Sequence, residues 1–290
     1  MKKSVLITGS SGCIGKNLVE KLGDKYSLLT PTHSELELTD SQSVRNYFRE
    51  HQIETVVHCA SRLEKWRGGG ESIVKENLQM FFNILDNSAR YNKLINCGTG
   101  GEYGRHFDVK NVRETDFGNN ILPTEDYAFS KYVMSRYIEN SKEKIINLRL
   151  FAVFGKYEEY NTRFIPKSIC RNILKRPIKI SQNVFFDCIY VDDIVKIMEY
   201  FILNTPREKI YNVGTGKPID RLTVAKKINQ IGDFESEIIV EKEGLNKEFS
   251  CNNERLMNEI GDFEFTPIDE AIRKMYDYYK ENIGNINFKS

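Results

Sequence analysis

A chain of 290 residues with 40% hydrophobic content can bury one large α/β core, or two smaller ones, without disulfides as staples. Its 42 Lys and Arg stand against 41 Asp and Glu, and a formal net charge of +1 excludes a global pull towards nucleic acid or an anionic membrane, so any phosphate recognition is local. The six cysteines (Cys13, Cys59, Cys97, Cys170, Cys188, Cys251) are scattered without a C-x-x-C pair and read as small buried hydrophobes of a reducing cytoplasm. The start MKKSVLITGSSG is too poor in apolar residues for a signal peptide, and no later run approaches membrane-spanning length. A cytoplasmic protein with no metal site is expected.

Along the chain, short β-branched runs alternate with helix-period segments. SVLIT precedes IGKNLVEKLG, YSLLT precedes SVRNYFREH, TVVHCA precedes an amphipathic stretch over residues 71–91, and KLINCG precedes a helix carrying Tyr127 and Lys131. IINLRLFAVFG then reads as a buried strand running into a loop. This alternation predicts β-α-β units and a doubly wound parallel sheet. After Gly155 the rhythm breaks: RFIPKSICRNILKR reads as a basic amphipathic helix, followed by DCIYVDDIVKIMEYFI, KIYNVGTG and helices near 223–231 and 268–279. The expected division is a Rossmann-type dinucleotide-binding domain over 1–155 plus about 184–214, and a small C-terminal α/β substrate lobe over about 156–183 and 215–290.

The first strand runs into VLITGSSGCIG, where Gly9, Gly12 and Gly15 lie between strand and helix. A tight turn, close backbone approach to a pyrophosphate and close helix packing each need a missing side chain, and the helix N-terminus offers free N–H groups. The strand-before, helix-after context points to dinucleotide binding rather than a glycine-rich surface turn. A carboxylate ending the second strand would grip the ribose hydroxyls of NAD and repel the extra phosphate of NADP. YSLLTPTHS has no acid until Glu35 and offers Thr30, Thr32 and His33 instead, which favours NADP(H) and leaves NAD(H) possible.

Tyr127 and Lys131 are four residues apart and therefore neighbours on one helix face. A nearby cation favours the phenolate and draws a tyrosine pKa down from its ordinary ~10, turning the phenol into a usable acid or base. Thr99, at the end of KLINCGT, places a hydroxyl at the carboxyl edge of the sheet, where open α/β sheets bind ligands.

TGSSGCIG, Asn77, GTGGEYG, YAFSK, LRLFAVFG, IYVDD and YNVGTG together resemble an extended short-chain dehydrogenase/reductase, and within it the nucleotide-sugar epimerases, dehydratases and 4-ketoreductases. The resemblance implies that Tyr127 is the catalytic acid/base, that Lys131 binds the nicotinamide ribose and depresses the tyrosine pKa, and that Thr99 orients the substrate oxygen. It implies a pyrophosphate site at Gly9, Gly12 and Gly15 with Ser11, Cys13 and Ile14 in the same turn, and Ala60, Ser61 and Asn77 at the cofactor. It also implies a homodimer.

The departures narrow the chemistry. Family dehydratases carry an Asp-Glu pair directly after the threonine, and this chain has Gly100 and Gly101. Relatives of the GDP-fucose synthase type have a cysteine where Gly101 stands, leaving only Glu102 and His106 as substitutes, and such residues more often belong to solvated structure. Reduction of a 4-keto nucleotide sugar by NADPH is therefore the expected activity, in making cell-surface polysaccharide or glycan precursors. An NAD-dependent 4-epimerase or dehydrogenase of the same fold is the nearest alternative, and a non-enzymatic dinucleotide-binding partner protein the alternative of another class. Many relatives have an arginine where Phe186 stands, so contacts to the substrate are sought at Arg62, Arg67, Gly100, Arg163 and Lys167, with Arg171 and Trp66 as further candidates. Asp192 and Asp193 are assigned to helix capping and interlobe contacts.

Overall fold

Val5, Leu6 and Ile7 have no exposed surface, so the first strand is covered on both faces, as an unbroken β-branched and leucine run requires in a parallel sheet. The computed structural model describes residues 2–63, 73–119 and 121–288. Its elements begin with β1 (Ser4–Thr8), α1 (Cys13–Leu22), β2 (Ser27–Leu29), α2 (Ser41–Glu50), β3 (Thr55–His58), α3 (Ile73–Leu85), β4 (Lys93–Thr99), β5 (Val109–Val112), α4 (Asp126–Asn140), β6 (Ile145–Leu150) and β7 (Val153–Phe154). They continue with α5 (Phe164–Ile173), β8 (Ile178–Asn183), β9 (Phe185–Phe186), β10 (Ile189–Tyr190), α6 (Val191–Leu203), β11 (Ile210–Val213), β12 (Ile219–Asp220), α7 (Arg221–Ile231), β13 (Ile238–Leu245), β14 (Phe249–Cys251), α8 (Glu254–Ile260) and α9 (Ile268–Asn282).

Six strands form one sheet in the order β11-β6-β4-β3-β1-β2, and every neighbouring pair is parallel. This is a Rossmann-like α/β fold. The strand order reverses between β1 and β3, and the carboxyl ends of the strands at such a reversal are where open sheets take ligands. Register carries Thr8 opposite His58 and His58 opposite Asn96, so the residues that follow these strands meet at one edge.

One face of the sheet packs Leu18 and Leu22 of α1 against Ile194, Met198 and Phe201 of α6. The other packs Phe48 of α2, Phe81 and Ile84 of α3, and Met134 and Ile138 of α4. A third apolar cluster joins α5, α7 and α9 over β8, through Ile169, Ile228, Ile272 and Tyr276. A smaller sheet, β12-β9-β14-β5, and the pair β13-β8 lie beside these helices. Among the described residues no helix is long and apolar enough to cross a membrane, and no group of three or more His, Cys, Asp or Glu is placed to hold a metal ion.

The amphipathic stretch expected over 71–91 is shorter as a helix. α3 stops at Leu85, and a single 3-10 turn follows over Ser88–Arg90. Asp86, Asn87 and Ser88 are residues whose side chains compete for backbone groups, and Asn87 Nδ2 donates to Asn83 O at 2.9 Å. Asp192 and Asp193 stand in the first turn of α6, two and three residues past the Tyr190 N-cap, so neither caps it. Asp193 instead accepts from Thr266 N and Oγ1, and Asp192 pairs with Lys21 of α1.

Candidate active site

Between β1 and α1, Gly9 has φ +67, and a Cβ there would lie 2.6 Å from Ala60 N. At Gly15 a Cβ would lie 2.2 Å from Gly9 O, which fixes the close approach of α1 to the turn. Gly12 is the N-cap of α1, its N–H bonded to Gly9 O at 3.0 Å. No side chain caps the helix and no acid stands in its first turn. The first-turn N–H groups and positive helix end are therefore free for an anion such as a pyrophosphate. Ser11 is exposed, while Ile14 packs into the core. The Cys13 thiol, pushed up to about 12 by burial and then by Glu158, gives a hydrogen bond to Lys156 O.

Lys131 is wholly buried, and its Nζ has no hydrogen-bond partner among the described residues. Its Nζ lies 6.0 Å from the centroid of the Tyr127 ring. Burial draws the ammonium pKa down, while Cys97, Glu102 and Cys59 act the other way. The Tyr127 phenol is raised above its ordinary value, chiefly by burial and then by Cys97 and Glu102. The expected lowering by Lys131 is thus not what the site produces: burial raises the phenol, and the cation that pulls it down is Arg163. The phenol keeps its proton at neutral pH.

Thr99 ends β4 as the N-cap of the 3-10 turn Gly100–Tyr103, its Oγ1 accepting from Gly101 N at 3.1 Å. A Cβ at Gly101 would lie 3.5 Å from Thr99 Oγ1 and 3.3 Å from Ala128 Cβ, so that glycine sits between the threonine and the residue after Tyr127. Gly100 is different. A Cβ there would fall 2.7 Å from the Phe151 ring and 2.8 Å from Phe249, so its open side faces an aromatic layer.

Beneath the turn, Glu102 accepts from Thr99 N at 2.9 Å, from Arg149 Nε at 2.7 Å and from Ser135 Oγ. The sequence reading expected solvated structure at Glu102; it is instead a buried anchor, its carboxylate held within the protein by Thr99, Ser135 and Arg149. His106 lines a small pocket of about 100 Å³ with Arg105, Pro123, Thr124, Glu125 and Ala128, and its Nδ1 is buried without a partner among the described residues.

The remaining expected residues fall in several places. Asn77 is buried; its Oδ1 accepts from Arg62 N, and its Nδ2 donates to Arg62 O and Ser130 Oγ, which ties the segment after β3 to α4. Ala60 abuts Gly9 and Ser61 is half-buried beside it. The Arg62 side chain is engaged by Glu76 at 2.5 Å, and Arg67 and Trp66 lie outside the described residues. Thr30, Thr32 and His33 are exposed; Thr32 N and Oγ1 both donate to Glu35, which turns that acid back on its own loop. Arg163 is the exposed N-cap of α5, Lys167 is half-buried, and Arg171 Nε donates to Pro177 O.

Two arginines escaped the sequence reading. Arg105 stacks 4.5 Å above Phe249, and Arg221 lies 5.2 Å from the Phe164 centroid. Phe249 is paired with Phe186 across β14 and β9, and Phe186 meets Phe164 edge-on at 6.3 Å, so the two guanidinium groups cap one aromatic layer. That layer continues through Phe151, 4.8 Å from Phe249, to Gly100. Neither guanidinium makes a hydrogen bond or ion pair among the described residues. Burial lowers both pKa values; Glu125 acts the other way on Arg105, Arg163 lowers that of Arg105 further, and Arg105 that of Arg221. The one available signal was Arg105 directly after GEYG; nothing local marks Arg221.

Comparison with known proteins follows the same lines. A model of the NAD dependent epimerase/dehydratase family matches residues 5–214. GDP-L-colitose synthase of Yersinia pseudotuberculosis is 24% identical over 97% of this chain and 99% of its own length. Among solved structures, a GDP-mannoheptose C4 reductase from Campylobacter jejuni with NADP bound superposes with a TM-score of 0.79 at 21% identity, covering 96% of this chain and 98% of that one. A UDP-glucose 4-epimerase of Thermotoga maritima with UDP-glucose does so with a TM-score of 0.79 at 20% identity, covering 97% and 99%. At such identities the superpositions establish the fold alone.

Proposed function

This chain belongs to the NAD-dependent epimerase/dehydratase family, and from that premise we propose that it reduces the 4-keto group of a nucleotide-activated deoxysugar with NADPH. The reading places it in the synthesis of cell-surface polysaccharide or glycan precursors. The observation that carries it is the set Thr99, Tyr127 and Lys131 with glycine at 101, between the threonine and the residue after Tyr127, where an acid or base would serve dehydration or epimerisation.

The residues fit a nicotinamide dinucleotide. The uncapped N-terminus of α1 and the bare faces of Gly9 and Gly15 suit the pyrophosphate, and the orphaned Lys131 Nζ suits ribose hydroxyls. When bound, the reduced nicotinamide supplies hydride to the sugar carbon. Tyr127, protonated at neutral pH because burial raises its pKa, gives its proton to the oxygen as that oxygen becomes alkoxide. A phenol held neutral serves reduction better than oxidation, which needs phenolate at the start. Thr99 Oγ1 receives the Gly101 N–H and so keeps its own hydrogen to donate to the same sugar oxygen.

The substrate diphosphate is assigned to Arg105 and Arg221, replacing the arginine that many relatives have where Phe186 stands. Neither has a hydrogen-bond or ion-pair partner among the described residues, the two cations repel one another, and a diphosphate between them removes that cost. NADPH is preferred because the loop after β2 turns its first acid, Glu35, onto Thr32. A homodimer through α3 and α4 belongs to the same reading, with Tyr137 40% exposed and edge-on to Phe82.

The test is direct. Purified protein with a nucleotide-linked 4-keto-6-deoxysugar should consume NADPH, read as loss of absorbance at the reduced nicotinamide band, with the alcohol identified by mass. Stoichiometric NAD released from denatured protein, with no net consumption, would instead identify a 4-epimerase.

A further inference from the structure

Cys59 and Cys97 are the one pair of thiols in contact among the described residues, with Sγ atoms 3.4 Å apart. Register explains the contact. His58 of β3 is paired with Asn96 of β4 in a parallel ladder, so the next residues, 59 and 97, stand side by side and pack on the same face of the sheet. Neighbouring strands run ~4.8 Å apart, inside the ~4.4–6.8 Å that a disulfide spans between Cα atoms, and the sulfurs need only close to ~2.0 Å. Cys13 bonds instead to a carbonyl and Cys251 to Asp187. The pair is set into the candidate site: Cys59 is half-buried at the carboxyl edge, and Ala60, which follows it, abuts Gly9 of the glycine turn.

We propose that Cys59 and Cys97 form an oxidisable dithiol, closed to a disulfide by a hydroperoxide, and that closure weakens dinucleotide binding by drawing the end of β3 away from the glycine turn. Nothing in the proton or hydride transfer uses these thiols. The contact with the Cys59 thiol, followed by the charge of Lys131, lowers the Cys97 pKa against the effect of burial. The Cys97 sulfur attacks one peroxide oxygen; the O–O bond breaks, the other oxygen leaves with a proton as water or alcohol, and Cys97 becomes a sulfenic acid. The Cys59 sulfur then attacks the Cys97 sulfur, the S–O bond breaks, and the hydroxyl leaves as water with the Cys59 proton. Two thiols lose one electron each, and the peroxide is reduced by two.

The experiment treats the full chain with hydrogen peroxide, alkylates it and maps its peptides. A peptide joining Cys59 to Cys97 is expected, with NADP⁺ at ~100 times its Kd slowing its formation by up to ~100-fold. NADPH affinity, read from cofactor fluorescence, should fall several-fold in the disulfide form and return with dithiothreitol, while Cys59→Ala keeps its affinity through peroxide. Cys59 and Cys97 still alkylated separately after peroxide has oxidised other cysteines would overturn the proposal, as would a joined peptide with unchanged NADPH affinity. The peptide map needs no sugar substrate, so it stands or falls apart from the assignment of the reaction.

Discussion

Arg149 lies beneath the site with its Nε 2.7 Å from Glu102 Oε2, and neither side chain has exposed surface. The guanidinium also stacks 3.8 Å from the Phe117 centroid and donates to Tyr103 OH at 3.0 Å. Glu102 in turn holds Thr99 N, so the ion pair supports the threonine hydroxyl through one residue. Breaking a buried pair from one side leaves an unmatched charge, at ~3–5 kcal/mol. Glu102→Gln should lower stability by about that amount in urea unfolding. The double variant Glu102→Gln, Arg149→Met should recover part of it, which a double-mutant cycle reads.

Removing the phenol separates binding from chemistry. Tyr127→Phe should lower kcat by ~10²–10⁴, the usual share of a positioned proton donor, while NADPH affinity stays close to that of the parent. Because the phenol pKa is raised, the acid form persists through neutral pH. Reduction should therefore hold level from pH 7 to 9 and decline only above the ordinary ~10 of tyrosine. A decline beginning near pH 7 would remove Tyr127 from the role of acid.

Arg105 and Arg221 are expected to act on binding alone. Methionine keeps much of the stem that covers Phe249 or Phe164 and removes the charge. Each of Arg105→Met and Arg221→Met should weaken nucleotide-sugar binding by ~1.5–3 kcal/mol, a ~10- to 100-fold rise in KM, with kcat little changed. Arg163→Met differs, since Arg163 lowers the Tyr127 pKa, and its loss should move the alkaline limb of the rate profile further up.

His58 sets an acid limit on the fold. It is fully buried, shares a 2.8 Å hydrogen bond with Thr8 Oγ1, and is held well below its ordinary pKa by burial and then by Lys131. Below pH ~6.5 the unfolded chain binds a proton at this position and the folded chain does not. The stability is therefore present above that pH and is lost as pH falls, by ~1.4 kcal/mol per unit for one proton. His58→Gln should flatten this part of the stability profile in urea titrations between pH 7 and 5.

Much of the site was legible because its signals are local. The strand SVLIT, the glycines at 9, 12 and 15, and the spacing of Tyr127 and Lys131 each need only one turn or one helix to be understood. What stayed hidden depends on register and burial. Cys59 and Cys97 read as separate small hydrophobes until β3 and β4 are laid side by side, and Glu102 reads as solvated until Arg149 is placed under it. The sign of the Tyr127 shift was missed for the same reason. Spacing reveals the neighbouring ammonium, but only the packed site reveals the burial that raises the phenol.

The two glycines after Thr99 make a last, sharper test, because they look equivalent in the sequence and are not. A side chain at 100 would start 2.7 Å from the ring of Phe151, itself without exposed surface, whereas one at 101 would start 3.3 Å from Ala128 Cβ. Overpacking a rigid core costs ~1–3 kcal/mol, so Gly100→Ala should lower stability by about that amount and Gly101→Ala by clearly less, both read by urea unfolding. Gly100→Asp should destabilise further and yield no sugar dehydration, since its carboxyl would enter the aromatic layer of Phe151 and Phe249 and not the space beside Tyr127. Dehydrated product from Gly100→Asp would mean that position 100 faces the sugar after all, and the missing acid there would join the one missing at 101 in keeping the parent from dehydrating its substrate.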